Sequence, residues 1–151
     1  MAEPQLRLEA FLPYRLSVAS NLVSTCIADA YQTLFALKIP EWRIIAVTAE
    51  NSGITQLQIG ELTRMDKVTV SRATAALSAR KLIARRTNPA DKRSQWLELT
   101  QAGQSLYEAV APKALELEAQ IFADFSAAER SNLSHMLRRV EAAALTFNSP
   151  E

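Results

Sequence analysis

The stretch Thr55–Thr100, TQLQIGELTRMDKVTVSRATAALSARKLIARRTNPADKRSQWLELT, decides the fold. It reads as two short helices joined by a tight turn, then a β-hairpin with a basic tip. Thr55 and Gln58 form a Thr-x-x-Gln capping box, in which each side chain accepts from the backbone N–H of the other residue. Ile59 and Leu62 are expected to face inward from that first helix. Arg64-Met65-Asp66 makes the turn. Asp66 suits the N-cap of the second helix, because a carboxylate accepts from the free N–H groups at the positive end of the helix dipole.

The second helix carries the chemistry. Val70, Ala73 and Leu77 fall at i, i+3 and i+7 and form a narrow apolar stripe. Lys67, Thr69, Ser71 and Arg72 occupy its first turn and a half, and several must point away from that stripe. Such a helix can enter a DNA major groove: hydroxyls and the lysine hold phosphates, while an arginine bonds both acceptors of a guanine edge. Leu82–Thr87 and Ser94–Leu99 alternate well enough to be strands. Asn88–Arg93 between them is rich in turn formers.

The run Met65–Arg86 (MDKVTVSRATAALSARKLIARR), followed by DKR at 91–93 and LELTQAG at 97–103, resembles the MarR family of bacterial transcription regulators. The resemblance combines a recognition-helix pattern, an Asp-basic-Arg hairpin tip and a Leu-Thr-x-x-Gly restart. It extends more loosely over nearly the whole chain, 1–151, as one unit. It implies a mainly α fold with a small β-hairpin wing, a winged helix-turn-helix at 39–100, and a helical dimerisation region at 13–36 and 101–147. It also implies a homodimeric repressor on a palindromic operator, released by a small anionic aromatic ligand. Some relatives, in aromatic-compound catabolism, sense a phenolic acid or its coenzyme A thioester. Relatives often carry Gly where this chain has Lys81, just before the wing. Lys tolerates a left-handed helix end less well, so that end is expected to be built differently.

On the same resemblance, Val68, Thr69 and Arg72 approach base edges, and Lys67 and Ser71 lie near backbone or bases. Val68 either meets a thymine methyl or simply packs. Arg93 enters the minor groove, Asp91 orients it and bends the turn, and Lys92 contacts phosphate. Arg85 and Arg86 read equally as phosphate contacts or ordinary strand charges. For the effector, Phe11–Arg15 and Ile39–Arg43 each place aromatic and basic groups near a helix start. Arg15 is the expected anion partner, by charge-assisted bonding, with Tyr14, Trp42 and Arg43 as further ligand candidates. The plainer reading makes Tyr14 and Trp42 core or interface residues and pairs Arg15 with an acid of a second chain.

Charge distribution agrees with a DNA reader. Net charge is only +1, but Gly60–Thr100 holds nine Lys/Arg against four Asp/Glu, and the remainder is net −4. A basic module on an acidic body fits nucleic acid at one end, although solvated surface charges give the same count. With 151 residues, 48% of them hydrophobic, one domain with a sizeable core is expected. Three glycines disfavour an all-β fold or a Gly-rich phosphate loop. No apolar run reaches the ~18 residues of a membrane span, and the N-terminus lacks a secretory pattern. A cytoplasmic, nucleoid-associated protein with no membrane partner is expected.

Outside the quoted stretch, Pro13 opens a long helix with Leu16, Ser20, Val23, Ile27, Ala30 and Leu34 in a heptad-like seam. A second copy of the chain is a natural partner for it. Pro40 opens another helix that buries Ile44, Ile45 and Val47, with a very short strand at Ile54. Gln101 to about Phe125 reads as a helix that Pro112 should kink or shift in register. Ser126 and Glu129 cap a last helix with Leu133, Leu137, Val140 and Ala144 on its apolar side. Cys26 reads as a small buried residue, with thiol redox sensing as the alternative. His135 reads as a helix-surface or interface residue. One His and one Cys give no catalytic constellation or zinc site, so neither enzyme activity nor a cofactor is expected. A winged-helix protein-interaction module that never touches DNA is the reading from another class.

Overall fold

The computed structural model describes residues 2–149. After a 3-10 turn at Leu8–Ala10 come α1 (Leu12–Phe35), α2 (Ile39–Glu50), α3 (Gln56–Thr63) and α4 (Lys67–Ala79). Then follow β1 (Ile83–Thr87), β2 (Gln95–Leu99), α5 (Gln101–Ile121) and α6 (Ala127–Asn148). The chain divides into two compact units at Ala114/Leu115, a boundary that α5 crosses. The fold is mainly α with a two-stranded antiparallel hairpin, the architecture of a winged helix-turn-helix.

In the first unit the core gathers Tyr31 of α1, Leu37 in the following connection, Ile44 and Ile45 of α2, Ile59 of α3, and Val70 and Leu77 of α4, with Leu97 and Val110 closing it. Pro13 and Pro40 sit in the first turns of α1 and α2, where a missing N–H costs nothing. The Thr55–Gln58 box is reciprocal, with N–H···O distances of 3.0 and 3.2 Å. Ile54 makes one bridge to Leu97, adding a single-residue third strand beside the hairpin.

Leu62 does not face inward; it is 62% exposed. The inner side of α3 is defined by Gln56, Ile59, Gly60 and Thr63, and at 3.6 residues per turn Leu62 falls well off it. The end of α4 also departs from expectation. Lys81 adopts φ +59, the left-handed conformation that glycine would take. The Leu82 N–H donates to the Leu77 carbonyl and the Lys81 N–H to the Ser78 carbonyl, a complete Schellman end built on lysine. The helix end is therefore the ordinary one, held with some backbone strain.

In the second unit, Ser126 and Glu129 form a reciprocal capping box at the start of α6, at 3.0 and 3.1 Å. The Ser126 backbone N–H, then its hydroxyl, holds the Glu129 carboxyl below its usual range. α5 stops at Ile121 rather than near Phe125; residues 122–124 form a turn, in which Phe122 and Phe125 meet edge to face. Pro112 lies inside α5, and the helix runs through it. None of the described residues of α6 is buried: Leu137, Val140, Met136 and Leu145 are all exposed. No helix is long and apolar enough to cross a membrane among the described residues.

Candidate nucleic-acid interface

α4 is fixed on its inner side and free on its outer one. Val70, Ala73, Thr74 and Leu77 are buried where α4 packs on α2 and α3. The outer side carries Lys67, Val68, Ser71 and Arg72, all exposed. Val68 is 57% exposed, so it does not simply pack. Asp66 anchors the start: its carboxylate accepts from the Thr69 N–H at 2.8 Å and the Thr69 hydroxyl at 3.0 Å. These bonds, the backbone one first, hold its pKa below the ordinary value. Thr69 is half-buried and its only hydroxyl proton is committed to Asp66, leaving a methyl group and oxygen lone pairs for any further contact.

The hairpin pairs Ile83 with Leu99, Arg85 with Leu97 and Thr87 with Gln95. Its tip is tied by short local bonds. Asn88 Nδ2 donates to Ser94 Oγ at 3.0 Å, and the Ala90 N–H to Asn88 Oδ1 at 2.9 Å. Asp91 Oδ1 accepts from the Arg93 backbone N–H at 3.0 Å. Asp91 thus bends the turn through the backbone of Arg93. Lys92 and Arg93 lie at the tip, both exposed to solvent.

The Leu-Thr-x-x-Gly restart has a physical reason. Thr100 Oγ1 accepts from the Gly103 N–H at 3.0 Å, capping α5, and donates to the Lys81 carbonyl at 2.7 Å. The Thr100 N–H donates to the Leu82 carbonyl at 3.1 Å. A Cβ on Gly103 would drive into that same carbonyl oxygen, so only glycine lets α5 start against the end of α4.

Residues 37–94 match the model of the MarR family. The whole fold also resembles that of a MarR/EmrR family transcriptional regulator from Acinetobacter sp. ADP1. That likeness has a TM-score of 0.86 and 28% identity over 93% of this chain and 99% of the other. In that segment and in its fold the chain is similar to MarR-family transcriptional regulators. The uncharacterized HTH-type transcriptional regulator YxaD of Bacillus subtilis strain 168 is 33% identical over 86 residues. The match takes in 57% of this chain and 60% of YxaD. Bordetella bronchiseptica BpsR, whose DNA binding is regulated by 6-hydroxynicotinic acid, shares the fold. Its TM-score is 0.83 at 23% identity, over 91% of this chain and 98% of that one.

The four ligand candidates do not converge within one chain. Trp42 is half-buried in an aromatic stack, edge to face with Tyr31 at 5.8 Å and parallel to Tyr107 at 5.7 Å. Burial pushes the Tyr31 phenol up. Tyr14 and Arg15 lie near the other end of α1, 17 and 16 residues before Tyr31, or about 25 Å along the helix axis. Both are exposed, as is Arg43 on α2.

Cys26 is exposed on α1, contrary to the expectation of burial. The reason is that α1 buries only Tyr31 within its own chain. His135 is exposed on α6, and no cluster of metal-ligating side chains occurs among the described residues. One functional-looking residue had no signal in the sequence. Arg80, at the end of α4, donates to the Ala36 carbonyl at 2.9 Å and the Phe35 carbonyl at 3.3 Å. It thereby satisfies carbonyls at the end of α1 and ties that helix to α4.

Proposed function

We propose that this protein is a homodimeric DNA-binding repressor that leaves a palindromic operator when a small anionic aromatic ligand binds. One observation carries the reading: α4 buries one side completely and presents Lys67, Val68, Ser71 and Arg72 on the other. An exposed valine among polar and basic side chains is what a thymine methyl and a guanine edge call for. Lys92 and Arg93 at the wing tip supply phosphate and minor-groove contacts. A second copy of the chain covers the exposed apolar side chains of α1 and α6. Two-fold symmetry then sets half-sites ~34–36 Å apart. The ligand reading rests on Arg15 and Tyr14 and on BpsR as a structural neighbour. Because Arg15 and Trp42 lie apart in one chain, a pocket that uses both draws them from different protomers.

Selection of bound duplexes from a random pool tests this. The wild type should enrich a palindrome, and Arg72→Ala should lose roughly 1–3 kcal/mol of discrimination at one base pair per half-site. A pool that shows no enrichment contradicts the reading. A thermal-shift screen against phenolic acids and their coenzyme A thioesters, with Arg15→Ala alongside, tests the ligand. Saturation at ~100 times the dissociation constant should add about 2.7 kcal/mol of stability, lost in the variant.

The exposure of Cys26 favours a second reading, a thiol-based redox regulator. Undiminished oxidant sensitivity of DNA binding in Cys26→Ser would remove it.

A further inference from the structure

Two adjacent arginines in β1 have the same sequence context and opposite surroundings. Successive strand residues point to opposite faces. Arg86 stands beside Trp96 and Glu98, and its Nε lies 2.9 Å from Glu98 Oε2. Glu98 is half-buried and Arg86 largely exposed, so this is a surface ion pair that offsets the Arg86 charge within the wing. On the other face, Arg85 stands across from Leu97, which is only 1% exposed, on a strand that packs against α2 and α3. Beyond Leu97 that face leaves the core, and Arg85 borders an open cleft of about 440 Å³ between the start of α3 and the wing tip.

The cleft gathers Arg85, Lys92 and Arg93 with Asp91 as its single acid. Asp91 Oδ1 is already engaged by the Arg93 backbone N–H. Arg85 itself has no ion pair among the described residues. Three cations around one carboxylate repel one another, and an anion between them relieves that repulsion. The wing tip borders the same cleft, so the anion that fits is a phosphate of the strand the wing straddles.

We infer that Arg85 is a phosphate contact of the wing, a third cation beside Lys92 and Arg93, and that its neighbour Arg86 is not. The inference rests on the DNA-binding reading above and adds a residue to it. Phosphate contacts are independent of sequence, so the probe is a fluorescent mixed-sequence duplex of about 30 bp, long enough for two half-sites.

Binding is followed by anisotropy from roughly 50 to 200 mM salt, where log K falls linearly with log salt. Arg85→Gln should make that slope shallower by about 0.9 per lost contact, about 1.8 for a dimer. Arg85→Lys should retain the slope, and Arg86→Gln should match the wild type. Thermal unfolding of each variant checks that the wing is intact; Arg85→Met repeats the test with a second neutral side chain. If Arg85→Gln and Arg85→Met keep the full slope while Arg93→Gln weakens binding, the inference is overturned and the DNA reading stands. An equal loss of slope in Arg86→Gln overturns the assignment by strand face. A wild type with no salt-dependent binding overturns both.

Discussion

α4 and α6 begin alike and end differently. Each is amphipathic in sequence and each is capped by a side chain, Asp66 in one and Ser126 in the other. α4 buries Val70, Ala73, Thr74 and Leu77, whereas no described residue of α6 is buried. Amphipathic spacing therefore states that a helix needs cover without saying where the cover comes from. For α4 it comes from α2 and α3. For α6, and for α1 outside Tyr31, we assign it to a second chain.

The most severe way to break the contrast is to charge the uncovered side. Leu137→Glu with Val140→Glu should yield monomers at concentrations where the wild type is dimeric, erasing an association worth about 8 kcal/mol for a micromolar dimer. Light scattering reads the mass. An unchanged dimer would mean that α6 is covered by something else. The matching change on the covered side is Leu77→Ala. It should cost about 2–5 kcal/mol of unfolding free energy in urea, since Leu77 is fully buried. Less than 1 kcal/mol would argue against a self-sufficient winged core.

Lys81→Gly sharpens the comparison from the stabilising side. It removes the left-handed strain behind α4 and should raise stability by up to about 1 kcal/mol, with DNA binding retained. A loss of stability would mean that the Lys81 side chain matters more than its backbone.

The smallest effect is in pH. The folded Asp66 pKa is lowered, so its cap is fully present above the unfolded value of ~3.9. It is lost as pH falls through the lowered folded value. Glu129 behaves likewise on α6. Asp66→Asn keeps an N-cap without a titrating group. Acid titration followed by circular dichroism should show less loss of helix below ~pH 4 in this variant than in the wild type.

What could be read from sequence was local. The three capping boxes or caps at Thr55, Asp66 and Ser126 depend on residues three apart, and the spacing alone specifies them. The outward side of α4 followed from the Val70–Ala73–Leu77 stripe, which leaves Lys67, Val68, Ser71 and Arg72 on the far side. Features set by distant parts of the chain were not legible. Arg80 reaches carbonyls 44 and 45 residues earlier, which no periodicity announces. Leu62 and Cys26 were misread because an apolar neighbourhood in sequence does not specify a buried one in space. The separate surroundings of Arg85 and Arg86 depend on strand register, fixed only once Leu97 enters the core.

The most direct test of a winged module completed by a second chain is sedimentation equilibrium of the unmodified protein at micromolar concentration. The account predicts twice the chain mass, persisting when the protein is diluted through the micromolar range. A single-chain mass, with α1 and α6 still helical by circular dichroism, would contradict it.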